Sequence, residues 1–147
     1  MLDAGAGPGI LAIVQAAGYE LDFATPKGAR PTALPPSYDT TYRDPPLGVC
    51  VTTPADAEQV KSIKDSPLLD NPKNLSAWVP ERPYYSAPDF LRKLEAYYLR
   101  LRELDAELDA YAGILLAGGS GPILDMVNNQ RVHDLILSFR RKDKPIA

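Results

Sequence analysis

Apolar positions recur along this chain with three rhythms, and each predicts a different element. Phe90, Leu94, Tyr97, Leu101, Leu104 and Leu108 are spaced by fours and threes, predicting one long helix over residues 89–109 with a single apolar stripe. Asp89, directly after Pro88, is placed to cap it. A second stripe of Val132, Leu135, Ile136 and Phe139 predicts a helix over 129–140, with Arg140, Arg141 and Lys142 where positive charge suits the helix dipole. Ile10, Ile13, Val14 and Ala17 predict a shorter helix over 8–17, opened near Pro8 and stopped by Gly18.

Strict alternation of Tyr19, Leu21 and Phe23 predicts a strand over 19–24, ended by Thr25-Pro26-Lys27-Gly28. The unbroken run Ile114-Leu115-Leu116 predicts a buried strand running into the turn Gly118-Gly119-Ser120-Gly121. Lys144-Pro145-Ile146-Ala147 reads as the opening of another parallel strand. This order of helices and strands predicts an α/β domain. Only small or turn-forming residues precede the first helix, and the last residues open a core strand. The expectation is therefore an incomplete sheet, continued by another polypeptide.

Residues 29–88 carry little periodicity. A short strand is predicted near Gly48-Val49-Cys50-Val51 and a short helix over Pro54–Ile63, amid prolines that interrupt everything else. Sixty such residues exceed an ordinary connection and predict a functional loop or cap. Tyr38, Tyr42, Trp78, Tyr84 and Tyr85 supply aromatic surface, expected to glue that cap or a subunit interface.

Composition narrows the function classes. At 147 residues the chain has the length of one domain with a real core, and its 45% hydrophobic and 24% charged residues are ordinary for a globular protein. A net charge of −3 leaves no electrostatic footprint for nucleic acid or an anionic membrane surface. One cysteine excludes an internal disulfide framework, and no apolar run approaches membrane-spanning length. MLDAGAGPG has no basic region followed by an apolar core, so a cytoplasmic protein is expected.

Few side chains carry chemistry. Cys50 is flanked by valines and reads as a small buried hydrophobe. His133, the single histidine, is expected at or near the surface, and with no cysteine cluster a zinc site has no ligand set. Glu20 and Asp22 alternate away from the apolar side and are expected in solvent. Asp3 precedes a glycine-rich turn and is a candidate for a site at the sheet edge. Ser120 lies in the glycine turn without a GxSxG elbow and without a following GKS or GKT, which argues against a nucleophilic serine and a Walker loop. Gly119 and Ser120 are candidates to donate backbone N–H groups where negative charge develops.

Three stretches resemble the DJ-1/PfpI superfamily, relatives of the class I glutamine amidotransferases, and most of all its larger, Hsp31-like members. Glu20–Pro31 (ELDFATPKGARP) resembles the second strand and its turn, and Asp109–Asp125 (DAYAGILLAGGSGPILD) the strand and GGHG-type loop. Asn128–Ala147 (NNQRVHDLILSFRRKDKPIA) resembles the helix leading to the strand that carries the nucleophile elbow. The resemblance implies a flavodoxin-like parallel sheet sandwich, incomplete in this chain, with residues 29–88 as a cap. It implies that residues 1–147 are the N-terminal portion of one domain, ending just before the catalytic cysteine. That nucleophile would come from a second polypeptide or a missing segment. Gly119 then matches an oxyanion-hole position, and Ser120 stands where many members have histidine. The family glutamate near the first helix has no counterpart around Ala6, and Asp3 is the nearby acid.

The implied activity is addition of a thiolate to a small aldehyde, amide or isonitrile-type carbon, as a hydrolase or lyase. An oligomer is expected, with no cofactor and no metal. The alternative is a non-catalytic, chaperone-like or small-molecule-binding protein on the same scaffold.

Overall fold

Two amphipathic helices build the core that the stripes predict. A computed structural model describes residues 10–118 and 126–147, and the chain divides into the compact units Met1–Lys73 and Asn74–Ala147. The core cluster lies in the second unit and joins Leu75, Val79, Leu104, Leu108, Val132, Leu135 and Phe139.

In the first unit, helix α1 spans Ile10–Ala16 and ends at Gly18, whose φ of 85° is open to glycine at little cost. The strand predicted over 19–24 shrinks to Ala24–Thr25 (β1), which pairs with Lys73–Asn74 (β2). The alternation describes burial in part: Leu21, Phe23 and Thr25 are half-buried while Glu20, Asp22 and Ala24 are exposed, but Tyr19, expected on the covered face, is 55% exposed. Helix α2, Pro54–Lys64, begins in a full capping box. There the Thr53 N–H donates to Asp56 Oδ2 at 2.8 Å, and the Asp56 N–H donates to Thr53 Oγ1 at 3.2 Å. Arg30 ties the end of this unit together: it pairs with Asp70 and donates to the carbonyls of Lys64 and Ser66.

In the second unit, the single helical turn α3 spans Leu75–Trp78, α4 spans Phe90–Glu107, and α5 spans Gln130–Arg141. Both long helices fall within a residue or two of their predicted bounds. Leu104 of α4, with Leu108 just beyond it, is buried in one cluster with Val132, Leu135 and Phe139 of α5, and Tyr97 of α4 is buried as well. Asp89 occupies the N-cap position of α4 but does not cap it. Its backbone is left-handed at φ 57°, and its carboxylate pairs with Arg92 instead.

Residues 114 and 146 form a parallel bridge across α5. The Ile114 N–H donates to Pro145 O at 3.0 Å, Ala147 N–H to Ile114 O at 3.0 Å, and Leu116 N–H to Ala147 O at 2.7 Å. Gly113 permits this approach, because a Cβ there would stand 2.9 Å from Pro145 O. Lys144 fastens the same region, donating from Nζ to the carbonyls of Leu108, Asp109 and Tyr111 at 2.6, 3.1 and 2.5 Å.

The flavodoxin-like parallel sandwich is not what forms. Among the described residues the architecture is predominantly helical, and its one named sheet has two strands of two residues each. The apolar runs read as core strands pack on helices: Ile114 and Leu116 line the α4–α5 core as partly buried residues, and Leu115 is 41% exposed. Short apolar runs do not by themselves choose between a sheet and a helical neighbour. Among the described residues no helix is long and apolar enough to cross a membrane.

Candidate functional site

The sequence-derived site lies on residues that the structure leaves undescribed. Asp3, Gly119 and Ser120 all fall outside the described residues. The adjoining Gly118 is exposed, with nothing within 4 Å of where its Cβ would stand. Cys50 is corrected: it is exposed rather than buried. Its neighbours Val49 and Val51 are 53% and 47% exposed, so the apolar flanks that suggested burial cover nothing themselves. Its backbone bridges to Arg43 across a tight loop closed at Gly48, where φ is 67°. His133 is exposed, as its position on α5 led one to expect. Tyr84 and Tyr85, read as glue, are 76% and 87% exposed, whereas Trp78 packs on Tyr111 at 5.9 Å between ring centres.

The built polar site is elsewhere, at the first turns of α5. Asn129 caps this helix by accepting from the Arg131 N–H at 3.1 Å. Helical spacing then places Gln130, Arg131 and Asp134 beside the apolar stripe. They hold the irregular segment 79–84, which lies between α3 and α4 and has no ladder to satisfy its own backbone. Arg131 Nε donates to Val79 O at 3.0 Å, and the Arg82 N–H donates to Gln130 Oε1 at 2.9 Å. A further ion pair joins Arg131 to Glu81 at 3.0 Å.

Asp134 is the centre of this cluster. It is only 4% exposed, yet both its oxygens are occupied. Oδ1 accepts from Arg82 Nη2 at 2.5 Å, and Oδ2 accepts from Tyr97 Oη at 2.6 Å and from the Gln130 amide. Such saturation is what makes a buried carboxylate tolerable, because an unpaired one is strongly disfavoured. Sequence inspection passed over Asp134, although Gln130 and Asp134 stand four apart on the edge of a buried stripe. That spacing was the available signal.

Burial pushes the Tyr97 phenol above its ordinary value, and its hydrogen bond to Asp134 adds to the effect. Arg82 is held more firmly protonated, first by its contact with Tyr97 Oη; burial opposes this, and the charge of Asp134 adds to it. Tyr97 is therefore a neutral donor at physiological pH, and Asp134 accepts from Arg82, Tyr97 and Gln130 together. The cluster is suited to recognition by charge and hydrogen bonding. Among the described residues no group of His, Cys, Asp or Glu side chains is arranged to hold a metal ion.

Two open clefts flank segment 81–84, with volumes of about 480 and 470 Å³. Arg82 and Tyr84 line both. Lys93 and Tyr97 complete the first, and Arg131 with Gln130 the second.

A family model described as ThiJ/PfpI family-like matches residues 9–146 of this sequence. The chain belongs to the ThiJ/PfpI-like family. That match agrees with the superfamily suggested by Asp109–Asp125 and Asn128–Ala147, and it extends over the proline-rich middle as well. No curated protein and no solved structure matches this ThiJ/PfpI-like chain.

Proposed function

We propose that this ThiJ/PfpI-like chain is a small-molecule-binding protein that performs no thiol chemistry of its own. The carrying observation is the cleft above Asp134, where a buried carboxylate orients an arginine whose side chain remains 54% exposed. Exposed Cys50, set in an irregular loop and joined to Arg43 through backbone alone, supports the same reading. A thiolate nucleophile needs a base or a positive environment to lower its pKa and a position beside the substrate. The test is incubation of the purified chain with small aldehydes, amides and isonitriles, in parallel with Cys50→Ser. We expect no turnover from either protein. Turnover that disappears in Cys50→Ser overturns the reading.

The parallel pairing of Ile114 with Ile146 favours a second reading. In it, the turn after Leu116 meets a thiolate carried by a second polypeptide, and the Gly119 and Ser120 amides stabilise charge on a small electrophilic substrate. Native mass spectrometry of the protein from its source distinguishes the two. A cysteine-bearing companion chain supports the second reading, and a 16.0 kDa species with no companion removes it.

A further inference from the structure

Within the first cleft, the chemistry of one side chain narrows the kind of ligand. A guanidinium carries five N–H hydrogens in a planar fork. In Arg82, one Nη2 hydrogen is committed inward to Asp134, and Nε points to Tyr97 Oη at 3.4 Å. The Nη1 pair and the second Nη2 hydrogen remain, on a side chain that lines the cleft. The Arg82 guanidinium also lies over the Tyr97 ring, 5.9 Å from its centre, which limits its rotation. The arginine is thus set in place before any ligand arrives, and its outer edge has the spacing of a carboxylate.

Charge in the cleft favours the same conclusion. Glu81 is its acidic member and is paired with Arg131. Lys93 lines the cleft and makes no ion pair among the described residues. With Arg82 balanced by Asp134, the uncompensated charge is the lysine ammonium, so an anion gains where a neutral ligand does not. The remaining wall is apolar, from Pro80, Pro83, Ala96 and the rings of Tyr84 and Tyr97.

We infer that this cleft binds a small organic carboxylate with a flat apolar body, its carboxylate on the outer edge of Arg82 and near Lys93, its body against Tyr84 and Pro83. This deepens the binding reading above and rests on it. Fixed donors favour the carboxylate over an uncharged isostere, because the arginine has already lost its freedom through Asp134 and Tyr97. Inorganic phosphate shares the charge but offers nothing to the apolar wall.

The test is titration of the full chain, labelled with ¹⁵N, with sodium benzoate, benzamide and inorganic phosphate, followed by amide shifts over residues 80–97. Benzoate is expected to give saturable shifts there, with benzamide and phosphate each weaker by about tenfold or more, the loss for one charge-assisted contact. Arg82→Gln is expected to weaken benzoate by a similar factor. Because that change also removes a partner of Asp134, Lys93→Gln serves as a second variant that disturbs no ion pair, and a several-fold loss is expected from it. Equal affinity for benzamide and benzoate, or for benzoate in wild type and Lys93→Gln, overturns the carboxylate assignment and leaves the binding reading standing. Tighter binding of phosphate than of benzoate also overturns it. Absence of saturable shifts with all three overturns both.

Discussion

Asp134→Ala is the sharpest perturbation of the second unit. Removing the carboxylate leaves Tyr97 Oη, now bonded at 2.6 Å in a ring that is 5% exposed, without its charged acceptor. A hydrogen bond to a charged group contributes about 1.5–3 kcal/mol. The Arg82 side chain is 54% exposed and rehydrates once released, so its ion pair adds about 0–1 kcal/mol. Gln130 keeps its contact with Pro80 O at 3.4 Å and adds little. The expected loss is about 2–4 kcal/mol, which lowers the urea midpoint by about 1–2 M. Trp78, the one tryptophan, lies in this unit beside Tyr111, so its fluorescence reports the transition. Tyr97→Phe keeps the ring and removes the hydroxyl. If the two groups act through their direct bond, the double variant is less destabilised than the sum of the singles by about 1 kcal/mol or more. A loss below about 1 kcal/mol for Asp134→Ala, or strict additivity with Tyr97→Phe, would refute the claim that this carboxylate joins Tyr97 of α4 to α5.

Two further outcomes follow from local geometry. Gly113→Ala puts a Cβ 2.9 Å from Pro145 O, so the pairing of 114 with 146 must open. A loss of about 1–3 kcal/mol is expected, with faster hydrogen exchange at the Ile114 and Ala147 amides and little change in α2. In the capping box of α2, the Thr53 hydroxyl and then its N–H hold the Asp56 carboxyl below the usual carboxylate value. A depressed pKa stabilises fully above the unfolded-state value near 4 and is lost as pH falls through the folded one. Amide protection in α2 is therefore expected to decline below about pH 4 in the wild type. In Thr53→Ala it is expected to be lower already at pH 7, with a weaker acid dependence, as followed by hydrogen exchange.

What could be read from the sequence was whatever depended on near neighbours. The stripes at Phe90–Leu108 and Val132–Phe139 located both long helices, since a period near four is set within each helix and survives in any surroundings. Leu21 and Phe23 were correctly placed on the covered side of their segment, but alternation says nothing about where a strand finds its partner. Among the described residues β1 and β2 make the one named sheet, and the expected parallel sheet does not form. Cys50 was misplaced and Asp134 passed over for one reason. A residue's burial depends on what packs over it from distant parts of the chain: Val49 and Val51 receive no cover, whereas Arg82, Tyr97 and Gln130 converge on Asp134.

Lys144 has a consequence for chemical labelling. The Lys144 ammonium is tied to three main-chain oxygens at once, those of Leu108, Asp109 and Tyr111. Acylating reagents that readily decorate the exposed amine of Lys93 must first break that tripod to reach Lys144. Its acylation thus reports the loss of its contacts with the carbonyls that follow α4.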